Sequence, residues 1–199
     1  MRLDQRATAC PNAPVTETAN TETQVEIRTH TSLAGISAQD WDACADPGVG
    51  DARAIDPFTT HRFLRALEKS GSVGGKSGWH PHYLTVEVGG EIIACAPLYG
   101  KHHSQGEYVF DHGWADALER AGGQYYPKLQ CGVPFTPAAG PRLLAKSSEA
   151  KTALLSAMEQ FCAAQGFSGA HATFLTPEDR KICDAAGWLH REDRQFHFI

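Results

Sequence analysis

Residues 82–100, HYLTVEVGGEIIACAPLYG, decide the fold of this chain. Apolar side chains alternate with polar ones from Leu84 to Val88 and again from Ile92 to Leu98, which predicts two half-buried strands. Gly89-Gly90 lies between the two runs, and glycine readily accepts the positive φ that both central positions of a tight hairpin turn require. The stretch therefore predicts an antiparallel hairpin.

Helices and single strands are predicted on both sides of this hairpin. Before it come a strand over residues 24–30, a helix capped by Ser37 with Asp40, and a helix in residues 57–71, where Phe63, Leu64 and Leu67 share a face and Gly71 ends it. After it come a helix over 149–165 capped by Ser147 or Ser148, a strand in GAHATFLT (169–176), a helix capped by Thr176 with Pro177 and Asp179, and a strand in 190–199. Ile182, Cys183 and Ala186 are expected to face inward. We expect the hairpin and the 169–176 strand in one sheet, with the 149–165 helix against it.

Composition limits the class of protein. The 199 residues are 42% hydrophobic and 21% charged, with a formal charge of −5 and no basic run. The chain is therefore long enough and apolar enough to bury a hydrophobic core. Neither a DNA-binding stripe nor membrane insertion is indicated. Residues 1–24 are expected to be a disordered lead without a targeting signal. No two cysteines have C-x-x-C spacing, so reduced thiols in the cytoplasm are expected, with Cys162 and Cys183 in the core.

Four stretches carry a family resemblance: residues 57–73, 78–84, 97–129 and 133–144. Within them, GEYVFD followed by WADA and YYPKL is similar to the FemAB-like family of peptidoglycan biosynthesis or recognition, which belongs to the GNAT-like acyl-CoA N-acyltransferase superfamily. The resemblance implies an α/β fold with a central mixed β-sheet flanked by helices, formed as one GNAT-like domain over residues 25–199.

The same resemblance implies a function. A FemAB-like protein transfers an acyl or aminoacyl group to an amine, so an acyl-CoA or aminoacyl donor and a small-molecule or peptidoglycan-precursor acceptor are expected. Members of the family resemble two GNAT-like halves, so this chain is expected to be the N-terminal half, with a second half or another copy as partner. The alternative is a non-catalytic recognition or scaffold module that binds a ligand or packs on a catalytic half.

The donor site of ordinary GNAT enzymes is the main departure from this pattern. Those enzymes bind a pyrophosphate with a Q/R-x-x-G-x-G/A loop at a helix N-terminus. Before the predicted 149–165 helix, this chain instead has GPRLLAKSSEA. Arg142, Lys146 and Ser147 offer only a weak phosphate signal, and Pro141 removes a backbone donor.

Residues 101–144 hold the groups that acyl transfer needs, namely a base, an oxyanion donor and an acid. Glu107, Asp111 and Tyr126 are the catalytic candidates. If GEYVF is a strand, Glu107 and Asp111 point to one face. Such a carboxylate pair is either a site or a solvated edge.

The remaining candidates are substrate-binding residues: Tyr108, Trp114, Tyr125, Lys128 and Arg142. Lys128 and Arg142 either contact a substrate anion or pair with the carboxylates, and the aromatic side chains either stack on a sugar or aminoacyl group or pack in the core. The pairs His80/His82 and His102/His103 lack a third ligand at metal-site spacing, so no metal is expected. Substitutions separate these alternatives: a cleft wall predicts a stability loss within about 1 kcal/mol for Lys128→Met, and a buried pair predicts about 3–5 kcal/mol.

Overall fold

The structure, a computed structural model, describes residues 25–45 and 56–192. Its α-helices are α1 (Ala38–Ala45), α2 (His61–Lys69), α3 (His112–Arg120), α4 (Ser148–Ala164) and α5 (Pro177–Ala185). Its strands are β1 (Val25–His30), β2 (His80–Pro81), β3 (Tyr83–Val88), β4 (Glu91–Ala96), β5 (Leu98–Lys101), β6 (Lys128–Cys131), β7 (Leu144–Ala145) and β8 (Ala170–Ala172). The predicted lead, residues 1–24, lies outside the described residues, as does most of the predicted last strand. Residues 190–192 form no strand.

Local sequence signals explain most of these elements. The β3–β4 hairpin turns at Gly89 and Gly90, whose φ angles are 59° and 83°. Ser147 caps α4 by accepting a hydrogen bond from Ala150 N, and Thr176 caps α5 in the same way from Asp179 N. The predicted hairpin and the predicted caps at Ser147 and Thr176 are therefore confirmed. Helix α3 was not predicted, and Ala186, expected to face inward, is exposed.

The strands form two hydrogen-bonded sheets, with orders β1-β3-β4-β7 and β2-β5-β6-β8. Ladders are antiparallel except for β6–β8, which is parallel, so the predicted mixed α/β fold is confirmed. The hairpin lies in the first sheet and β8 in the second. The expectation that they share one sheet is therefore wrong.

The physical reason for the division lies in three chain segments that pass from one sheet to the other. Pro97 separates β4 from β5 and has no N–H to donate to a ladder. His82 separates β2 from β3, and residues 132–143 separate β6 from β7. Hydrogen bonds still cross the breaks, from His82 N to Leu98 O at 2.8 Å and from Gly132 N to Pro97 O at 3.2 Å. The same chain segments thus contribute strands to both sheets, and hydrogen bonds join the two sheets at the breaks.

Alternate side chains of β3 and β4 point to opposite faces of the sheet, and a buried cluster covers each face. Leu84 and Ala94 join one buried cluster together with Leu154 and Met158 of α4. Tyr83 and Cys95 join a second cluster on the other face, whose further members include Leu33, Trp41 and Leu64 from the segments around α1 and α2. Helix α4 packs against strands of both sheets, as expected.

Candidate functional site

Lys128 is the centre of a buried charged cluster at the start of β6. Its Nζ donates to Glu107 Oε2 at 2.7 Å and to Asp111 Oδ2 at 2.5 Å. All three residues are at most 4% exposed. The carboxylates are therefore not a solvated edge. They share one ammonium group in the interior.

The segment that carries these carboxylates is not a strand. Residues 102–111 form turns and bends, and Tyr108 has a φ of 58°. The predicted GEYVF strand is therefore wrong, although both carboxylates do converge on one side. Asp111 stands just before α3, and Glu107 follows a tight turn closed by a hydrogen bond from its N to Ser104 O at 3.2 Å. The turn and the helix start, rather than strand alternation, bring the two groups together.

A second lysine belongs to the cluster, and sequence reasoning missed it. Lys101 stands opposite Lys128 in the antiparallel β5–β6 ladder. Its Nζ lies 3.7 Å from the centre of the Trp79 ring, donates to Gln105 O at 3.0 Å, and is 3.9 Å from Glu107 Oε1. Two lysines and two carboxylates thus balance each other, as buried charges must. No local sequence pattern shows that Lys101 faces Lys128, because the ladder register is set by the sheet as a whole.

Protonation differs among these groups. Burial raises the pKa of Glu107, and the nearby lysines only partly oppose this effect. Burial would also raise the pKa of Asp111, but the hydrogen bonds from Lys128 and Tyr126 outweigh it and lower that pKa to about 2. Burial lowers the pKa of Lys101 to about 8. Lys101 is therefore the member of the cluster whose protonation changes nearest to neutral pH.

Aromatic groups form the outer side of the cluster. Tyr126 donates its hydroxyl to Asp111 Oδ1 at 2.8 Å, and burial together with that hydrogen bond raises its pKa to about 12. The Tyr125 ring packs 5.0 Å from the Tyr126 ring and 5.7 Å from His171 of β8. All three side chains are half-buried. They form a small polar and aromatic surface above the buried charges.

His171 was not predicted as a member of this surface. Burial, followed by repulsion from Lys128, lowers its pKa to about 4, so the ring is neutral at pH 7. The parallel β6–β8 ladder places it there, opposite Gln130. No local pattern in GAHATFLT shows that pairing, because it joins segments about forty residues apart.

Tyr108 and Trp114 do not join this cluster of buried groups. Tyr108 is 52% exposed and Trp114 is 63% exposed, on the loop before α3 and in its first turn. The predicted stacking wall is thus divided: Tyr125 and Tyr126 pack together, and Trp114 stands out in solvent.

Arg142 has a different environment. Its guanidinium donates to the carbonyl oxygens of Ala138, Pro141 and Thr173 at 2.6–3.1 Å, and the residue is 1% exposed. Its backbone N donates to Asp179 Oδ2 at 2.7 Å. These contacts favour the structural interpretation of Arg142, because the guanidinium is already used by main-chain carbonyls.

The start of α4 does not fit a pyrophosphate group. The Ser147 side chain already accepts from Ala150 N at 3.2 Å, and Lys146 Nζ binds Glu91 at 2.6 Å. Glu149 adds a negative charge in the first turn. An acidic group here would repel a phosphate.

Among residues 25–45 and 56–192, no three His, Cys, Asp or Glu side chains are grouped so that they could hold a metal ion. The His80 and His102 rings lie 5.7 Å apart. No helix in the same segments has the length and apolar character to cross a bilayer.

Comparison with known families decides the classification. A family model named FemAB-like, described as peptidoglycan biosynthesis/recognition, matches residues 32–199. This chain belongs to the FemAB-like family.

Among solved structures, it is similar to the aminoglycoside N-acetyltransferase AAC(6')-Iy in complex with CoA, with a TM-score of 0.50 and 13% identity. The match covers 89% of this chain and 95% of that chain. No curated protein matches. The FemAB-like chain thus has a GNAT-like fold, and at this identity the structural likeness bears on the fold alone.

Proposed function

We propose that this FemAB-like protein transfers an acyl or aminoacyl group to an amine, with a peptidoglycan-related compound as acceptor. The observation that carries the proposal is the hydroxyl of Tyr126, a half-buried residue, which donates a hydrogen bond to Asp111 above a buried, charge-balanced cluster. Family membership gives the reaction class, and the GNAT-like fold is compatible with it.

The proposed roles follow from exposure and protonation. Tyr126 is the group that touches the reacting atoms: its hydroxyl, which donates to Asp111 in the free protein, turns to donate its one proton to the developing oxyanion or leaving group. Asp111 stays ionised and orients the Tyr126 hydroxyl. Glu107 is the proton acceptor, because its raised pKa brings it closer to neutral pH. Lys128 holds both carboxylates in position, and Tyr125 lines the acceptor.

No step of this proposal is routed through coenzyme A, because the start of α4 does not fit its pyrophosphate. The donor is therefore described only as an activated acyl or aminoacyl group. We propose the cytoplasm as the compartment, which the buried free thiols of Cys44, Cys95, Cys131, Cys162 and Cys183 support. A second GNAT-like half or another copy of the chain is the proposed partner.

The test is a transfer assay that pairs several donors with one acceptor. Acetyl-CoA and aminoacyl esters are each incubated with a synthetic stem peptide that carries a free side-chain amine. The product is detected by mass spectrometry. We expect Tyr126→Phe to lower the rate at least tenfold with little change in melting temperature. Tyr83→Phe is the control, since it removes a buried hydroxyl elsewhere, within hydrogen-bond distance of the Tyr99 hydroxyl at 3.5 Å. Full activity in Tyr126→Phe would contradict the proposed role.

A recognition module without chemistry is the second candidate. The poor fit of the α4 start to a phosphate-bearing donor favours it, as does the negative charge of Glu149 in the first turn of α4. In this case the stem peptide binds saturably and no donor gives product. Product formation from any donor would exclude this candidate.

A further inference from the structure

Strand β1 is an edge strand, and among the described residues it pairs on one side alone. It stands first in the order β1-β3-β4-β7, and its six residues pair with β3 without a shift in register. Alternate residues of such a strand direct their backbone N–H and C=O groups away from the sheet. Strand β1 contains no proline, lysine or bulge, which are features that commonly protect an edge. The outer edge of β1 is therefore suited to pairing with a further strand.

One face of β1 is apolar and lies in solvent. Val25 is 58% exposed and Ile27 is 45% exposed. Their partners in the ladder are Val88 and Val86, and residues directly opposite each other share a face of the sheet. On that face Val86 packs in the buried cluster that includes Leu154 of α4. The apolar face of the sheet thus continues onto β1, where it is exposed.

The other face of β1 carries charges. Glu26 stands opposite Glu87 of β3 in the ladder, and like charges in that arrangement repel each other. The Arg28 guanidinium lies 2.6 Å from Glu26 Oε2 and 3.5 Å from Glu87 Oε2. One guanidinium thus serves two carboxylates, and a second cation beside Glu26 would stabilise this face.

We propose that a second copy of the chain pairs with the outer edge of β1, strand against antiparallel strand, about a two-fold axis at Ile27. In this register Glu26 faces the partner's Arg28, and Arg28 faces the partner's Glu26. On the other face, Ile27 meets the partner's Ile27 and Val25 meets the partner's Thr29. Both copies use the same surface, as in most symmetric dimers, and the two four-stranded sheets form one sheet of eight strands.

The charges select this register over its neighbours. A shift of one residue in either direction would place Arg28 opposite the partner's Ile27 or the partner's Val25, and both charge pairs would be lost. A parallel pairing without stagger would place Glu26 against the partner's Glu26. The inference thus identifies the surface for one of the two partners proposed above, and it does not depend on the proposed reaction.

The experiment measures the oligomeric state of the full chain by sedimentation velocity over a range of concentrations. We expect the wild-type protein to form a reversible dimer. Glu26→Arg and Arg28→Glu should each weaken the dimer at least tenfold, because each places like charges opposite each other at two positions. An equimolar mixture of these two variants should dimerise, as should the double variant, because the complementary charges are restored. Asp184→Arg, a charge reversal on α5, is the control and should dimerise as the wild type does.

Three outcomes would overturn the inference. The first is a wild-type monomer at every concentration, which is expected if another segment of the chain or a different protein pairs with β1. The second is a dimer that neither single charge reversal weakens, and the third is a mixture of the two variants that stays monomeric. The measurement uses no donor or acceptor, so it is separate from the transfer assay. A dimer without transfer contradicts only the proposed reaction, and transfer by a monomer contradicts only this inference.

Discussion

Replacing Lys128 with methionine should destabilise the protein strongly. Lys128 is 2% exposed, and its ammonium is the shared partner of Glu107 and Asp111 at 2.7 and 2.5 Å. Methionine has similar length and no charge. The substitution therefore leaves two buried carboxylates with the Tyr126 hydroxyl and with Lys101, which is 3.9 Å from Glu107.

The size of the stability loss follows from the two carboxylates that stay buried without Lys128. Removing one partner of a buried ion pair costs about 3–5 kcal/mol, out of a total of about 5–15 kcal/mol for a typical domain. At about 2–4 °C per kcal/mol for a chain of this size, the melting temperature should fall by roughly 6–20 °C. Glu107 reduces the loss, because burial already raises its pKa and it can take up a proton. Asp111 contributes most of the cost.

The loss should also depend on pH. The pKa of Asp111 is lowered in the folded protein to about 2, below its unfolded value of about 4. Its stabilising contribution is therefore complete above pH 4 and disappears as the pH falls towards 2. We expect the difference in unfolding free energy between wild-type and Lys128→Met proteins to shrink over that interval.

Urea denaturation at pH 7 and at pH 3 measures both effects. Lys146→Met is the matched control, because Lys146 binds Glu91 at the similar distance of 2.6 Å with side chains that are 33% and 71% exposed. An exposed pair is worth about 0–1 kcal/mol. If Lys128→Met loses less than about 1 kcal/mol, or if Lys146→Met loses as much, the buried cluster is not the stabilising unit described above.

Three further predictions concern single positions. His171→Phe should reduce the fall in stability between pH 6.5 and pH 4, because a histidine whose folded pKa is lowered to about 4 gives a slope of up to about 1.4 kcal/mol per pH unit there; melts across this range would show an unchanged slope if the prediction is wrong. Gly106→Ala should cost at least about 1 kcal/mol more than Gly122→Ala, since both have φ near 80° but only the first Cβ would meet side chains, at 2.6 Å; equal losses in urea would exclude the clash. Asp179→Ala should cost about 3–5 kcal/mol by thermal denaturation, because it removes the acceptor of two backbone N–H groups and one of the two carboxylates that bind Lys151, whereas the exposed Asp184→Ala should cost less than about 1 kcal/mol; similar values for the two would count against the buried network.

The parts of the fold that could be predicted are those that depend on neighbouring residues. Gly89 and Gly90 fix the hairpin because their own φ angles are positive, and Ser147 and Thr176 fix helix starts through bonds three residues away. The division into two sheets could not be predicted in this way. It depends on the position of Pro97 relative to the neighbouring strands, and no local sequence pattern predicts that position.

The candidate site shows the same distinction. Glu107 and Lys128 are 21 residues apart, and their residue types predicted a pair without predicting whether it is buried. Lys101 and His171 enter through ladder register with β6, which is set by the whole sheet. Arg142 was predicted from its charge, but its main-chain partners depend on the path of residues 138–141.

The buried cluster adjoins two aromatic residues whose backbone is strained, Tyr108 and Phe135. Glu107 is anchored to Lys128 in the sheet, and the next residue, Tyr108, has the strained backbone and the exposed ring. On the other side of the Gly106 turn, the hydrogen bond from Phe135 N fixes the second strained aromatic residue. A loop free to relax would leave the left-handed region, since each such residue costs about 1–3 kcal/mol. Breaking the buried pair of Glu107 and Lys128 costs about 3–5 kcal/mol, which exceeds the strain at one such residue, so the buried cluster can hold Tyr108 in the left-handed region.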